Sequence, residues 1–232
     1  MGKNWQVKHE KDKDKFWYED ENGEKSRVFA YASQYSYGYG LVALYSTPIG
    51  NPLEKKYCNY AYIGVNGKLS KIYDRAWPYS YGHGLVRIKN YRDISYAYRD
   101  VNGNLGKHTF SEAWPYTDGF GLIKYEEDGE YGYVNMQGKP EGRYRNAWQY
   151  SHGFGLVQLD NGMFAYRDKN GNLSEEYSRA LPYMNGFGIV KLKNGEFATR
   201  DKDGNLFSKS EYSKMMEHWK DKIEPDTEGF LN

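Results

Sequence analysis

The chain has 232 residues, of which 39% are hydrophobic and 18% aromatic, with 25 tyrosines and 26 glycines. Because 32 Lys and Arg face 31 Asp and Glu, the net charge is +1, and no overall positive field favours nucleic acid as the main partner. The single cysteine, Cys58, excludes an internal disulfide and a zinc site with several thiolates. The composition is typical of strands joined by tight turns.

The N-terminal segment contains residues 5–8, 16–20 and Asn22-Gly23, which we interpret as a degraded first copy of a repeat. It lacks the Gly-x-Gly motif of the other copies and carries many charges. No stretch of the N-terminus has the apolar character of a secretory signal, and no apolar run reaches the about 18 residues that span a bilayer. We therefore expect a cytoplasmic protein without membrane insertion.

Five later segments share one pattern, which makes six repeats of roughly 33 to 44 residues with the first copy. In each segment the second and fourth residues are apolar and the third is mostly polar, which predicts a strand with one buried face. Each segment follows a Gly-x-Gly motif, where a turn or a close backbone contact requires glycine. The segments are residues 41–44, 85–88, 122–125, 156–159 and 189–192.

A second strand is predicted in each repeat, because two large side chains flank an Ala or Gly and share one face. These strands centre on residues 60–62, 96–98, 131–133, 164–166 and 197–199. Asn-Gly or Asp-Gly follows four of them, at residues 66–67, 102–103, 170–171 and 203–204. Both residues of such pairs tolerate a positive φ, so we predict hairpin turns there.

A third aromatic motif recurs as Ala-Trp-Pro-Tyr or a close variant, at residues 76–79, 113–116, 147–150 and 180–183. Proline removes a hydrogen-bond donor, so this stretch predicts a strand at a sheet edge or entering a turn. Repetition would align its rings on one rim, and Tyr and Trp are common interface anchors. The predicted binding residues are Trp77, Tyr79, Trp114, Tyr116, Trp148 and Tyr150.

The C-terminal segment predicts an amphipathic helix, with Ser208 or Ser210 as its N-cap. Its apolar residues, at spacings i, i+3, i+4, i+7 and i+11, are Tyr212, Met215, Met216, Trp219 and Ile223. We expect residues 1–207 to form the repeat array and 208–232 this helix and a tail.

The repeat resembles the WG (KWG) family, found largely in bacterial proteins, whose units read small-x-Pro-aromatic, Gly-Leu-Ala/Val, Trp-Gly-Tyr-Ile-Asp and a Gly turn. The resemblance runs from about Trp5 to about Tyr212, although no repeat contains Trp-Gly and Tyr131-Gly132 comes nearest. It implies a repeat scaffold without a defined activity. The residues that carry it are 113–116, 119–123, 131–135 and Gly138.

We predict an all-β fold of six tandem antiparallel repeats, propeller-like, with a short C-terminal helix. The alternative is an open β-solenoid of hairpins, because a degraded first copy and a helical tail resemble the caps of open arrays.

Other motifs give little indication of catalysis or metal binding. Asp-x-Asn/Asp-Gly-Asn, at 100–104, 168–172 and 201–205, is similar to the opening of a calcium loop but lacks the closing acid, so we interpret it as a turn. His83 and His152 belong to no metal-binding motif and are expected on the surface or in packing. No nucleophile elbow, P-loop or dinucleotide fingerprint is present. We therefore expect no enzyme and no cofactor, but a scaffold that binds another protein, or alternatively a glycan-binding module.

Overall fold

The computed structural model describes residues 4–49, 51–90, 93–208, 210, 211 and 213. Contacts divide the chain into two compact units, Met1–Arg143 and Tyr144–Asn232. Within the described part of the chain, no helix combines the length and hydropathy that a membrane crossing requires.

The first unit contains four antiparallel sheets. The first sheet is β1 (Gln6–Glu10) and β2 (Lys15–Glu19), joined by a 3-10 turn at Lys11–Lys13; the second is β3 (Tyr31–Ala32), β4 (Tyr39–Ile49) and β5 (Asn51–Gly64). The third is β6 (Arg75–Ala76), β7 (Gly84–Asn90) and β8 (Asp93–Arg99); the fourth is β9 (Glu112–Ala113), β10 (Gly121–Lys124), β11 (Tyr131–Val134) and β12 (Pro140–Tyr144), which ends at the unit boundary.

The second unit contains two antiparallel sheets. The fifth sheet is β13 (Asn146–Ala147), β14 (Gly155–Gln158) and β15 (Phe164–Arg167); the sixth is β16 (Arg179–Ala180), β17 (Gly188–Lys191), β18 (Phe197–Arg200) and β19 (Leu206–Ser208).

The predicted all-β class is confirmed, with one antiparallel, propeller-like sheet for each repeat, including the degraded first copy. The Ala-Trp-Pro-Tyr stretches begin as two-residue strands at sheet edges, as their prolines predict. The choice between a closed propeller and an open solenoid stays a prediction, as does the domain boundary at residue 207.

A capping arrangement lies where the predicted C-terminal helix would begin, and the helix itself stays a prediction. The Glu211 backbone N–H donates to the Ser208 hydroxyl at 3.3 Å, and the Glu211 carboxylate accepts from the Ser208 N–H at 2.7 Å. This reciprocal pair is a capping box, and Ser210, Glu211 and Ser213 are helical. The rest of the predicted helix lies outside the described residues.

The second to fifth sheets each have one face of small side chains and an opposite face with a large tyrosine. In the third sheet, Val86 pairs with Ala97, while Leu85 pairs with Tyr98 and faces the other way. The Val86 face packs against Leu41 and Tyr62 of the preceding sheet. Small residues on one face therefore make room for the large ring that the preceding sheet projects.

The tyrosine ring carries a hydroxyl that reaches the backbone of the next sheet. Tyr62 Oη donates to the carbonyl of Trp77 at 2.6 Å and lies 3.0 Å from that of Leu85. Since a buried carbonyl without a partner costs free energy, the ring both fills the space and satisfies the backbone. Burial raises the pKa of Tyr62 far above its ordinary value, although Arg99 opposes that shift. The equivalent hydroxyls, which also donate to carbonyls of the following sheet, belong to Tyr18, Tyr98 and Tyr166.

The second glycine of Gly-x-Gly lies directly against this hydroxyl. A Cβ added at Gly84 would come within 2.9 Å of Tyr62 Oη, and one at Gly121 within 2.5 Å of Tyr98 Oη. Gly84 and Gly121 have no positive φ, whereas the first glycine of each motif does. The second glycine is therefore required for the close approach of the tyrosine, which is one of the two reasons that the sequence suggested.

We expect Gly121→Val to lower the free energy of unfolding by about 3 kcal/mol or more, because the added atoms would clash with Tyr98 and Tyr116 in a buried, tightly packed site. Urea unfolding measures the loss. Lys107→Val, at an exposed loop residue, is the matched control and should change stability by less than about 0.5 kcal/mol. Equal stability of the two variants would contradict the assigned role of the glycine.

Candidate functional site

Three of the six predicted binding residues are buried. Tyr79, Tyr116 and Tyr150 are between 2% and 4% exposed. Each hydroxyl donates to a carbonyl at the end of the second long strand of its own sheet, as Tyr79 does to Asp100 O at 3.1 Å. The prediction that these rings line a surface is wrong, because they fill the sheet interior and satisfy buried backbone carbonyls.

The three tryptophans of the same motif are half-buried and pack on their own sheets. Each ring lies 6.0 to 6.3 Å, centroid to centroid, from the first aromatic ring of its sheet's second long strand. These pairs share packing with the tyrosines below them, and a binding role for the tryptophans stays a prediction. The pairs are Trp77–Tyr96, Trp114–Tyr131 and Trp148–Phe164.

The Asp-x-Asn-Gly-Asn stretches are turns whose acid binds its own backbone. The Asp100 carboxylate accepts the N–H groups of Asn102 at 2.9 Å and Asn104 at 2.8 Å, and the Asn104 side-chain amide at 3.1 Å. Burial alone would raise the pKa of Asp100, but these hydrogen bonds outweigh it and the pKa is lowered. Asp168 and Asp201 repeat this arrangement. The turn interpretation therefore accounts for the motif.

The two-residue hairpin turns lie at another place than the sequence predicted. At Asn102-Gly103 only the glycine has a positive φ, whereas at Tyr81-Gly82 both residues do, with φ of 49° and 77°. Two consecutive positive φ angles are typical of the type I′ turn that joins hairpin strands. The residue in the first position of this turn is Tyr37, Tyr81, Asp118, His152 and Asn185 in successive repeats.

Tyr37 and Tyr81 are unusual residues for this position. Asn, Asp and Gly are preferred there, because a larger side chain in the left-handed region is strained. Both tyrosines are exposed, Tyr37 by 55% and Tyr81 by 41%, so burial of the ring does not explain them. Backbone strain at an exposed aromatic residue is a feature of functional sites rather than of packing.

Exposed valines lie beside these turns. A Cβ on Gly82 would be 2.9 Å from Val101 Cγ1 and 4.0 Å from the Tyr37 ring, and one on Gly38 would be 3.7 Å from Val65 Cγ1. In the second unit the equivalent neighbours of the turn are Lys169 and Lys202. The apolar character is thus confined to the first unit. We call Tyr37, Val65, Tyr81 and Val101 the rim cluster.

Three residues of the rim cluster, all except Tyr81, border a cavity of about 290 Å³. Tyr37, Val65 and Val101 form its apolar side, while Lys68 and Arg99 supply positive charge. Its other lining residues include Tyr39, Asn66 and Ser70.

Arg99 is the most constrained side chain of this cavity. It is buried, its guanidinium lies 4.9 Å from the Tyr62 ring centroid, and its Nη2 donates to Gly103 O at 2.7 Å. Its Nη1 has no hydrogen-bond partner among the described residues.

The sequence contains a signal for the rim cluster that comparison of strands overlooks. The residue immediately before Gly-x-Gly varies among repeats, and only Tyr37 and Tyr81 are tyrosines at this position. Aligning the turns rather than the strands would have separated these two repeats from the others.

Tyr81→Asn is expected to raise the free energy of unfolding by up to about 1 kcal/mol, since Asn adopts the left-handed conformation with less strain than Tyr. Chemical unfolding of both proteins measures the difference. The reverse exchange in the last repeat, Asn185→Tyr, should destabilise the protein. A loss of stability in Tyr81→Asn would mean that the ring stabilises the fold.

His83 occupies the middle of a Gly-x-Gly motif where other repeats have Tyr or Phe. Its ring stacks on Tyr116 with centroids 4.2 Å apart, and it is buried. Burial lowers the pKa of His83, while the hydrogen bond with Tyr81 O opposes the shift. This confirms the packing role that the sequence allowed for His83.

Protonation of His83 should therefore destabilise the fold in acid. Because the folded-state pKa is lowered, the unfolded chain binds the proton more readily, and stability falls as the pH drops through about 6.5. His83→Phe removes this loss and imitates the other repeats. Urea unfolding at neutral and mildly acidic pH should show a smaller decrease for the variant, and equal decreases would contradict the prediction.

No family model and no curated protein matches the chain, and the resemblance to the WG repeat family stays a prediction. Among solved structures, BamB from Moraxella catarrhalis is similar at 12% identity and a TM-score of 0.34, covering 84% of this chain and 69% of that one. The WD40 β-propeller domain of Doa1 is similar at 14% identity and a TM-score of 0.29, covering 88% and 77%. A protein of unknown function from Bacteroides caccae is similar at 11% identity and a TM-score of 0.30, covering 89% of this chain and 90% of that one. Scores this low carry no inference about function.

Proposed function

We propose that this protein is a non-catalytic repeat scaffold and that its rim cluster binds an apolar or aromatic segment of another protein. The observation that carries the proposal is the pair of exposed tyrosines, Tyr37 and Tyr81, held in the left-handed conformation beside exposed valines. Neither packing nor turn preference accounts for tyrosine at these positions, whereas recognition does.

The rim cluster has the properties of a small anchor site. Tyrosine offers a large contact area at a low cost in side-chain entropy, and the short turns hold both rings on a rigid hairpin. The cavity bordered by Tyr37, Val65 and Val101 is of a size that admits one side chain of a partner. We infer that Lys68 selects a carboxylate or carbonyl oxygen next to that side chain.

A scaffold agrees better than a catalyst with the roles of the nearby polar groups. Asp100, the acid next to Arg99 in the chain, already accepts three hydrogen bonds from its own turn. Its lowered pKa keeps it ionised and unsuited to proton transfer near neutral pH. Arg99 is fixed by Gly103 and by the rings around it.

The glycan alternative depended on rows of exposed Trp and Tyr. Since the tyrosines of those rows are buried and the tryptophans pack on their sheets, stacking on sugar rings has less support than protein binding. We retain it as an outcome of the test below.

The test compares proteins captured from native lysate by the wild type and by a Tyr37→Asn, Tyr81→Asn double variant, with quantitative mass spectrometry. We expect a specific partner to be recovered at least tenfold less with the double variant, which corresponds to the loss of about 1.4 kcal/mol of binding free energy. Ile72→Asn, which alters an exposed apolar residue outside the rim cluster, is the matched control and should capture the partner normally.

Equal recovery by the wild type and the double variant would refute the rim cluster as the binding site. A glycan array run with the same three proteins separates the alternative. Strong binding to a glycan, together with no enriched protein, would replace the scaffold proposal by the glycan-binding one.

A further inference from the structure

One face of the sixth sheet carries three large apolar side chains that are open to solvent, beside Arg179 and Lys191. On this face Leu181 is 53% exposed, Ile189 50% and Phe197 62%. In the fifth sheet, the residues equivalent to Ile189 and Phe197 are Leu156 and Phe164, which pack into the core beneath the sixth sheet. The same face that one repeat buries is thus uncovered in the next.

The residue that would reach a following sheet is also changed. Tyr166 Oη of the fifth sheet donates to Leu181 O of the sixth at 2.7 Å, but the sixth sheet has Thr199 in the equivalent position. Threonine is too short to reach the backbone of a seventh sheet. The sixth sheet therefore keeps the exposed apolar side chains but lacks the tyrosine that would bind a following sheet. This indicates that something other than a seventh sheet packs on the face.

The chain itself supplies a segment at this point. In the fifth repeat, residues 168–180 continue from β15 through a turn into β16, the edge strand of the next sheet. The chain instead leaves β19 through the capping box of Ser208 and Glu211 and turns helical. A helix that begins at the edge strand of the sixth sheet starts within reach of its open face.

The sequence that follows has the pattern of a helix that packs on one side. Tyr212, Met215, Met216, Trp219 and Ile223 fall within an arc of about 100° on a helix. The twelve residues 212–223 would extend about 18 Å as a helix, which exceeds the about 14 Å between the first and fourth strands of a four-stranded sheet. The segment is therefore long enough to cross the whole face.

We propose that residues 212–223 dock as an amphipathic helix on the open face of the sixth sheet, over Leu181, Ile189 and Phe197. Attachment at Ser208 keeps the segment at a millimolar effective concentration, which favours it over a second copy of the chain. Methionine adapts to irregular surfaces, and Met215 and Met216 suit a face built from branched and aromatic side chains. The helix takes the place of a seventh sheet.

Hydrogen exchange of the full-length protein, followed by mass spectrometry, tests this docking. Amides of residues 212–223 should exchange at least tenfold faster in Ile189→Lys and in Phe197→Lys than in the wild type, because a charge on the face expels the helix. Both residues are half or more exposed, so the sixth sheet should fold, which unchanged exchange of the paired amides of β17 and β18 verifies. Ile72→Lys, at an equally exposed apolar residue of the first unit, is the control and should leave the segment unchanged.

A variant of the segment tests the same contact from the other side. Met216→Lys with Trp219→Lys should uncover the sheet face, and the fluorescence of an added naphthalene-sulfonate dye should rise severalfold. Exchange of residues 212–223 that is equally fast in the wild type and in both sheet variants would overturn the proposal. Protection that appears only at concentrations where light scattering detects dimers would overturn it in favour of a second copy.

Discussion

A buried tyrosine hydroxyl that donates to a carbonyl of the neighbouring sheet is the contact on which the described sheets depend. Tyr62 and Tyr98 each span the space between two sheets and end within hydrogen-bond distance of the strand that begins at a Gly-x-Gly motif. The contact requires a glycine opposite the hydroxyl and small residues on the receiving face. One hydrogen bond thus determines the residue type at several positions of every repeat, which explains why the motif recurs along the chain.

The tyrosine contact does not determine the first residue of the type I′ turns. The first residue of each type I′ turn varies among the repeats, and Tyr, Asp, His and Asn all occur there with nearly the same φ. Function can accumulate where packing leaves residue choice open. Tyr37 and Tyr81 use that freedom at a cost in backbone strain, whereas Asn185 occupies the same turn in the relaxed form.

The alternation of apolar and polar residues predicted the long strands, and the repeated prolines placed the short strands at sheet edges. The positions of Tyr79 and Tyr116 could not be read in the same way. The partner of Tyr79 Oη is Asp100 O, 21 residues away in the sequence, and the spacing of aromatic residues is the same for a buried row as for an exposed one. Likewise, Asn102-Gly103 favours a hairpin turn, but Asp100 stabilises a different turn by accepting the N–H groups of Asn102 and Asn104. Local propensity identified the turn, and a side-chain hydrogen bond determined its type.

The first and sixth sheets differ in the side chains on the face that points away from the adjacent sheet. In the first sheet, Val7 and Tyr18 point to the second sheet, while the opposite face carries the exposed Gln6 and Lys8 and the half-buried Trp17. The sixth sheet has large apolar side chains on its outer face. Phe197 is exposed there, whereas the equivalent Phe164 of the fifth sheet packs against the core. In a repeat array each unit is stabilised by its neighbours, so a terminal unit requires either a polar face or a separate cap. Among the described residues, the sixth sheet has neither a polar outer face nor a bound cap, which is the basis for the proposal that the segment after Ser208 docks there.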